Sequence, residues 1–201
     1  MKTMKTNNTS AKVKKITGLA ILIAIEIVLQ IIGNYVAFPG GISINLALIP
    51  IALGAIMYGP LAGAILGFIN GLIILFAPST FAFWAYSKLG TIVTCFSKCT
   101  IAGAVSGLLY NLIAKKNKVV ASVVASLIIP ILNTTLFVVL YVTIFNGLYK
   151  ESVPADMTFI KLLFATFIAI NFILEFTITT VLTPTINKII KIVRKDEENA
   201  L

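Results

Sequence analysis

The sequence predicts an all-α integral membrane protein, built as a single bundle of six transmembrane helices. Of the 201 residues, 59% are hydrophobic and only 11% are charged, and the mean hydropathy is +1.03. A soluble domain carries about 25% charged residues. Residues 27–87 contain no Asp, Glu, Lys or Arg, and one span needs about 20 residues. The apolar runs are continuous rather than alternating, which favours helices over the strands of a membrane barrel.

The predicted spans follow one another with short connections. We expect a basic tail (1–15), a membrane domain (16–192) and a C-terminal tail (193–201). The expected spans are 16–33, a second ending at residue 57, 60–77, 88–114, 119–146 and 158–192. Residues 78–87 are rich in aromatic side chains, which is typical of an interfacial loop or a short surface helix.

A tight hairpin joins spans 2 and 3 within residues 46–75. The Tyr-Gly-Pro sequence at 58–60 interrupts the apolar run, because proline cannot continue a helix and glycine allows a chain reversal. Gly63, Gly67 and Gly71 then recur every four residues, a spacing that lets another backbone approach closely in lipid. Two partners for this stripe remain open: span 1 inside the bundle, or another protein outside it.

The basic residues predict the orientation. Five lie in the N-terminal tail, three in the turn 115–118 and four between residues 188 and 195. The opposite side has Lys88, Lys150 and Lys161, with Lys98 inside span 4. The positive-inside rule then places both termini in the cytoplasm and the loops 34–43, 78–87 and 147–157 outside. The net charge of +9 is explained by these flanks rather than by nucleic-acid binding.

Several kinds of chemistry are disfavoured, so we expect no catalytic residue, cofactor or metal. The chain has no histidine, the commonest general base and metal ligand. Cys95 and Cys99 lie four apart on one helix, where they are poor disulfide partners and too few ligands for zinc. No P-loop sequence occurs.

Polar side chains in the outer halves of the spans predict a pocket for a small polar molecule. Span 4 places Ser87, Thr91, Thr94 and Lys98 on one face. A lysine at that depth needs an anionic partner, which is either a ligand carboxylate or one of Glu26 and Glu175. Glu175 is interpreted as structural. The candidate binding residues are Asn34, Tyr35, Asn45, Asn70, Trp84, Thr91, Lys98, Asn133, Tyr141 and Asn171.

Span 1 carries two different faces. Glu26 is expected to point into the bundle, with Gln30 one turn farther outward, because a charged group at mid-depth is expensive. Ala20 and Ala24 form a small-xxx-small pair on another face, and ordinary packing is the simplest explanation of that spacing.

The whole chain resembles a known family, the substrate-binding S-components of energy-coupling factor (ECF) transporters, which import vitamins. The resemblance is strongest in IPIALGAIMYGPLAGAILGFINGLI (49–73) and GTIVTCFSKCTIAGAVSGLLYNLI (90–113). It implies a subunit of a bacterial plasma membrane that binds a vitamin from outside and delivers it inward with a coupling subunit and two ATPases. ATP hydrolysis then belongs to the partners. The resemblance also implies that Ala20 and Ala24 form the docking face and that 34–43 acts as a lid.

One chemical feature, the buried Lys98, bears on which vitamin is bound. A buried lysine favours a carboxylate, as in pantothenate, folate or biotin; pantothenate is our first expectation, with riboflavin and a pyridoxine-type vitamin open. The rival interpretations are a self-sufficient secondary transporter, an intramembrane enzyme and a structural membrane subunit. The first would favour an inverted repeat, which we do not find, and the second lacks a convincing Ser-Lys motif.

Overall fold

The fold is a helical bundle with one short strand pair. A computed structural model describes residues 3–35, 37–38, 42–43, 45–152, 158, 160–161, 172–173 and 175–178. In chain order the elements are α1 (Thr3–Tyr35), β1 (Ala37–Phe38), β2 (Ile42–Ser43), α2 (Leu48–Tyr58), α3 (Pro60–Leu75), a 3-10 turn (Pro78–Thr80), α4 (Phe81–Tyr86), α5 (Lys88–Ile113), α6 (Lys118–Ile144) and α7 (Asn146–Ser152).

Three helical segments in the described part are long and apolar enough to cross a membrane: Lys12–Gly33, Lys88–Ile113 and Lys118–Ile144. A fourth is possible if α3 and the following Pro78–Tyr86 segment, bent by 77°, act as one span. α2 is apolar but shorter. The chain is therefore a helical protein with several membrane-capable helices, and the number six stays a prediction, since most of span 6 lies outside the described residues.

Some predicted boundaries differ from the observed ones. α1 begins at Thr3 rather than at residue 16, so the basic segment continues the helix. At the other end α1 extends to Tyr35, and the following segment forms an antiparallel pair in which Ala37 is opposite Ser43. The short-helix interpretation of 78–87 is confirmed by α4, whereas the expected loop after residue 146 begins with α7.

The predicted hairpin between α2 and α3 is confirmed. Gly59 separates the two helices with φ at 93°, a conformation that glycine adopts without a Cβ penalty. Pro60 is the first residue of α3, where its missing N–H costs no helical hydrogen bond.

The glycine stripe of α3 packs against α5, so neither partner considered from the sequence is correct. A Cβ added at Gly63 would collide with the carbonyl oxygen of Gly103, and one added at Gly67 would collide with that of Cys99. Gly71 faces the backbone at Cys95 in the same way. The contact between α3 and α5 is the largest between any two described helices. We call this contact the glycine seam.

The remaining helices close the bundle around an apolar core. Leu22 of α1, Ile51 of α2, Leu66 of α3, Ala102 of α5 and Ile129 of α6 lie in one buried cluster. The inward face of α1 also carries Glu26 and Gln30, both buried, as predicted. The Ala20 and Ala24 side chains are exposed on another face.

Candidate functional site

A cavity of about 250 Å³ lies at the end of the bundle opposite the α2–α3 hinge. Its wall is formed by the last turn of α3, the segment after it, α4, the first half of α5 and the second half of α6. Gln30 of α1 and two residues near the C-terminus, Phe172 and Glu175, complete it. The lining residues are Gln30, Asn45, Ile74, Ala77, Ser79, Thr80, Phe83, Thr91, Thr94, Cys95, Lys98, Asn133, Thr134, Phe137, Phe145, Phe172 and Glu175.

The polar face of α5 is positioned by the way this helix begins. Ser87 caps the helix, its Oγ accepting a hydrogen bond of 3.2 Å from the Gly90 N–H. The Thr91 hydroxyl donates to the Ser87 carbonyl at 2.8 Å. Thr94 and Lys98 follow on the same face at one-turn spacing, and both line the cavity with Thr91. The predicted polar face of α5 thus forms one wall.

Lys98 is the cationic group of this wall. Its side chain is half-buried, and Nζ lies 5.3 Å from the centroid of the Phe137 ring, which gives a cation–π contact. Glu26, one of the two carboxylates considered as its partner, is fully buried, and neither of its carboxylate oxygens has a hydrogen-bond partner among the described residues. A Lys98–Glu26 pair is therefore not formed. Glu175, the other carboxylate considered as a partner, lines the same cavity as Lys98 and lies within its electrostatic reach.

A chain of hydrogen bonds runs beneath and along the cavity. The backbone N–H of Asn45 donates to Glu175 Oε1 at 3.1 Å. The Asn70 amide donates to Asn45 Oδ1 at 3.4 Å and to Cys99 Sγ at 3.6 Å. The Cys99 thiol donates to Asn133 Oδ1 at 3.4 Å. These bonds connect Asn45, just before α2, with α3, α5, α6 and Glu175.

An aromatic cluster forms the apolar part of the wall. The Phe83 ring of α4 packs edge-on against Phe137 at 6.0 Å and Phe145 at 5.0 Å, centroid to centroid. Phe137 also stacks on Tyr141 at 5.9 Å. The Tyr86 hydroxyl accepts a hydrogen bond of 3.0 Å from the Gly147 N–H, which ties α4 to α7. The cavity is therefore polar along α5 and aromatic toward α4 and α6.

The structure brings four of the predicted binding residues to the cavity wall: Asn45, Thr91, Lys98 and Asn133. Three others lie away from the wall, as their hydrogen bonds explain. Asn70 is buried behind it, the Trp84 indole N–H donates to the Leu75 carbonyl at 2.8 Å, and the Tyr141 hydroxyl donates to the Leu148 carbonyl at 3.3 Å. The side chains of Asn34 and Tyr35, and all of Asn171, fall outside the described residues.

Other lining residues were not among the predicted binding residues. Glu175, interpreted from the sequence as structural, lines the cavity, because the Asn45 N–H holds its carboxylate there. Gln30 reaches the cavity from the buried face of α1, and the four-residue spacing from Glu26 was the available signal. The 3-10 turn contributes Ser79 and Thr80, which no spacing argument identifies.

This arrangement is suited to binding a small polar ligand. It offers one ammonium group, a carboxylate, amides, hydroxyls and aromatic rings around a small space, the composition typical of a pocket that orients a polar ligand. Within the described residues no group of three or more Cys, Asp or Glu side chains could hold a metal ion.

Comparison with known proteins gave one finding. The family model described as "ECF transporter, substrate-specific component" matches residues 14–187, which is most of the chain. Neither the curated proteins nor the solved structures gave a match.

Proposed function

This chain belongs to the family of substrate-specific components of ECF transporters, and from that premise we propose that it captures a small water-soluble vitamin bearing a carboxylate. Proteins of this family are transport subunits that cross the membrane several times. We further propose that the vitamin enters from outside, and that a coupling subunit with two ATPases drives its delivery inward.

The observation that carries this proposal is the position of Lys98 in the cavity wall. An ammonium group inside a membrane protein is costly unless an anion or polar groups compensate it. In the same wall, Phe137 supplies a cation–π contact and Glu175 a carboxylate within electrostatic reach, and Asn133 lies one turn from Phe137 on the same face of α6. A substrate carboxylate between Lys98 and Asn133 would receive both a charge-assisted and a neutral hydrogen bond.

The size of the cavity bears on which vitamin is bound. Ligand pockets usually enclose about 300–1,000 Å³, so a cavity of about 250 Å³ favours a compact ligand. This supports pantothenate as the first candidate, with biotin next. A pyridoxine-type vitamin is also compact, but pyridoxine has no carboxylate to meet Lys98. Folate and riboflavin have larger ring systems and would need the cavity to widen.

We propose Ala20 and Ala24 as the docking face for the coupling subunit. Both side chains are exposed on α1, and exposed Ile21 and Ile25 lie beside them. Two small side chains one turn apart let another helix approach the α1 backbone closely. Docking there leaves the inward face of α1, with Gln30 at the cavity, free for the substrate.

Ligand identification tests the proposed function directly. The protein is purified in mild detergent, the small molecules released on denaturation are identified by mass spectrometry, and binding of pantothenate, biotin, pyridoxine, riboflavin and folate is measured by calorimetry. We expect tight binding of one of the three vitamins that carry a carboxylate, with pantothenate first. Tight binding of riboflavin or pyridoxine alone would overturn the carboxylate, and binding of none of the five with no copurified vitamin would overturn the vitamin-binding function.

A further inference from the structure

We propose that Asn70 and Cys99 act as a positioning pair, which holds the Asn133 side chain so that its amide N–H donates to an acceptor oxygen of the substrate. The inference rests on the proposed function for the identity of the ligand. Asn70 and Cys99 lie behind the cavity wall, and they determine whether Asn133 turns its amide N–H or its amide oxygen toward the substrate.

Two hydrogen bonds orient the Cys99 thiol between α3 and α6. Asn70 is fully buried on α3 and its amide nitrogen donates to Cys99 Sγ at 3.6 Å. The sulfur therefore acts as an acceptor toward α3. A thiol has a single proton, and Cys99 donates it toward α6, to Asn133 Oδ1 at 3.4 Å.

The Cys99 thiol in turn orients the Asn133 amide. Because Oδ1 accepts from Cys99, the two N–H groups of Asn133 are on the opposite branch of the side chain. Asn133 lines the cavity and is 7% exposed. Within the described part of the chain, no acceptor bonds to this amide nitrogen. The cavity wall thus presents a hydrogen-bond donor at this point, and a buried donor stabilises a ligand that brings an acceptor.

Lys98 lies near Asn133 in the cavity wall, which bears on the chemical class of the acceptor. Lys98 precedes Cys99 on α5, and its Nζ lies over Phe137, one turn after Asn133 on α6. The ammonium and the amide donor are therefore on the same side of the cavity. Two donors on one side of the cavity fit a carboxylate, or a carbonyl oxygen close to one, better than a ligand amine.

The tight packing around Cys99 explains why a small side chain occupies this position. Cys99 is fully buried, and its backbone carbonyl contacts Gly67 across the glycine seam. The thiol bridges from Asn70 to Asn133 at distances of 3.4–3.6 Å, within the range of bonds to sulfur. Serine retains a donor and an acceptor at this position, whereas alanine and valine retain neither.

Infrared spectroscopy tests the positioning pair without any ligand. The S–H stretching band that disappears in Cys99→Ser is assigned to Cys99 by difference from the unaltered protein. We expect this band to move to higher frequency in Asn133→Leu, because the thiol loses its acceptor. A band that does not move would overturn the positioning pair, even in a protein that binds vitamins normally.

Binding of pantothenate tests the consequence for the substrate. We expect Cys99→Val and Asn133→Leu each to weaken pantothenate binding about five- to tenfold, and the double variant to be little worse than either. Cys99→Ser should bind within about twofold of the unaltered protein. Cys99→Ala replaces Cys99→Val where thermal unfolding shows that valine prevents folding.

The infrared and binding experiments distinguish failure of the positioning pair from failure of the proposed vitamin-binding function. Equal losses in Cys99→Ser and Cys99→Val, or fully additive losses in the double variant, would overturn the positioning role. Failure of the unaltered protein to bind pantothenate while it binds another vitamin would overturn only the choice of probe, because the infrared result is independent of the ligand. That result would then decide whether the pair orients Asn133.

Discussion

Two ionisable side chains inside the bundle have different surroundings. Lys98 is half-buried at the cavity, with an aromatic ring beneath its ammonium group and polar side chains nearby. Glu26 is fully buried on the inward face of α1, and its carboxylate oxygens have no hydrogen-bond partner in the described part of the protein. We therefore predict that Lys98 contributes to ligand binding, and that Glu26 costs the bundle stability.

Replacing Lys98 by alanine should weaken pantothenate binding about 10- to 100-fold, since a hydrogen bond to a charged group contributes roughly 1.5–3 kcal/mol. The alcohol analogue, in which a CH₂OH group replaces the carboxylate, should lose much less. Calorimetry with both compounds measures the difference. Lys88→Ala, at the exposed start of α5, is the matched control and should bind normally. Unchanged affinity in Lys98→Ala would assign this lysine to structure.

Replacing Glu26 by leucine should stabilise the protein by about 1–3 kcal/mol, because a buried polar group without a hydrogen bond costs about that much. The measurement is the melting temperature in detergent, which should rise. Asn70→Leu provides the contrast, since it removes a buried amide that bonds Asn45 and Cys99, and it should lower the melting temperature. A lower melting temperature for Glu26→Leu would contradict the prediction and indicate that Glu26 has a stabilising partner.

At the scale of elements, the glycine seam determines how α3 and α5 pack. Gly67 faces the backbone of α5 at Cys99, and Gly103 of α5 faces the backbone of α3 at Gly63. The spacing of four on α3 could be recognised in the sequence, but its partner could not, because many helix faces accept a small-residue stripe. The matching set Cys95, Cys99 and Gly103 has the same spacing and was the available signal.

Gly67→Ala should destabilise the protein by about 1–3 kcal/mol, because a Cβ there would push two helix backbones apart. Gly18→Ala is the matched control on α1. Its Cβ would meet the end of the Tyr58 side chain, which can move aside, so the cost should be smaller. Melting temperatures in detergent compare the two variants. Equal decreases in melting temperature for the two variants would mean that α3 and α5 can move apart at the glycine seam at little cost.

The double substitution of Ala20 and Ala24 by tryptophan should abolish vitamin uptake in cells while binding by the isolated protein stays within about twofold. The bulky rings would keep the coupling subunit from the α1 backbone without reaching the cavity. Leu108→Trp adds a ring of the same size at an exposed position on another helix, α5, and should leave uptake largely intact. Normal uptake by the double variant would exclude this face as the docking surface.

At the scale of the whole molecule, the proposed orientation predicts which surface positions face outside. Ala82→Cys in α4 should react with a membrane-impermeant maleimide on intact cells, whereas Lys116→Cys should react only after permeabilisation; both positions are exposed. The unaltered protein is the control, because Cys95 and Cys99 are buried. Labelling of Lys116→Cys on intact cells would reverse the orientation.

The sequence predicted the membrane class, the hairpin and much of the α5 wall because these depend on local patterns. Continuous apolar runs define helices, Gly59-Pro60 defines a turn, and a helical face follows from the spacing of Thr91 and Lys98. Contributions from distant segments could not be predicted in this way. Glu175 lies at the cavity, where its carboxylate accepts a hydrogen bond from the Asn45 N–H, 130 residues earlier in the chain.

The close backbone contact between α3 and α5 also has a mechanical consequence. Where glycines meet a backbone directly, there are no rotamers to rearrange, so the two helices can shift only together. The cavity side chains stand at one end of this stiff pair, and at the other end Pro60 rests on Gly107 of α5. A displacement of either helix at the cavity end would therefore be transmitted to the α2–α3 turn, about one helix length away.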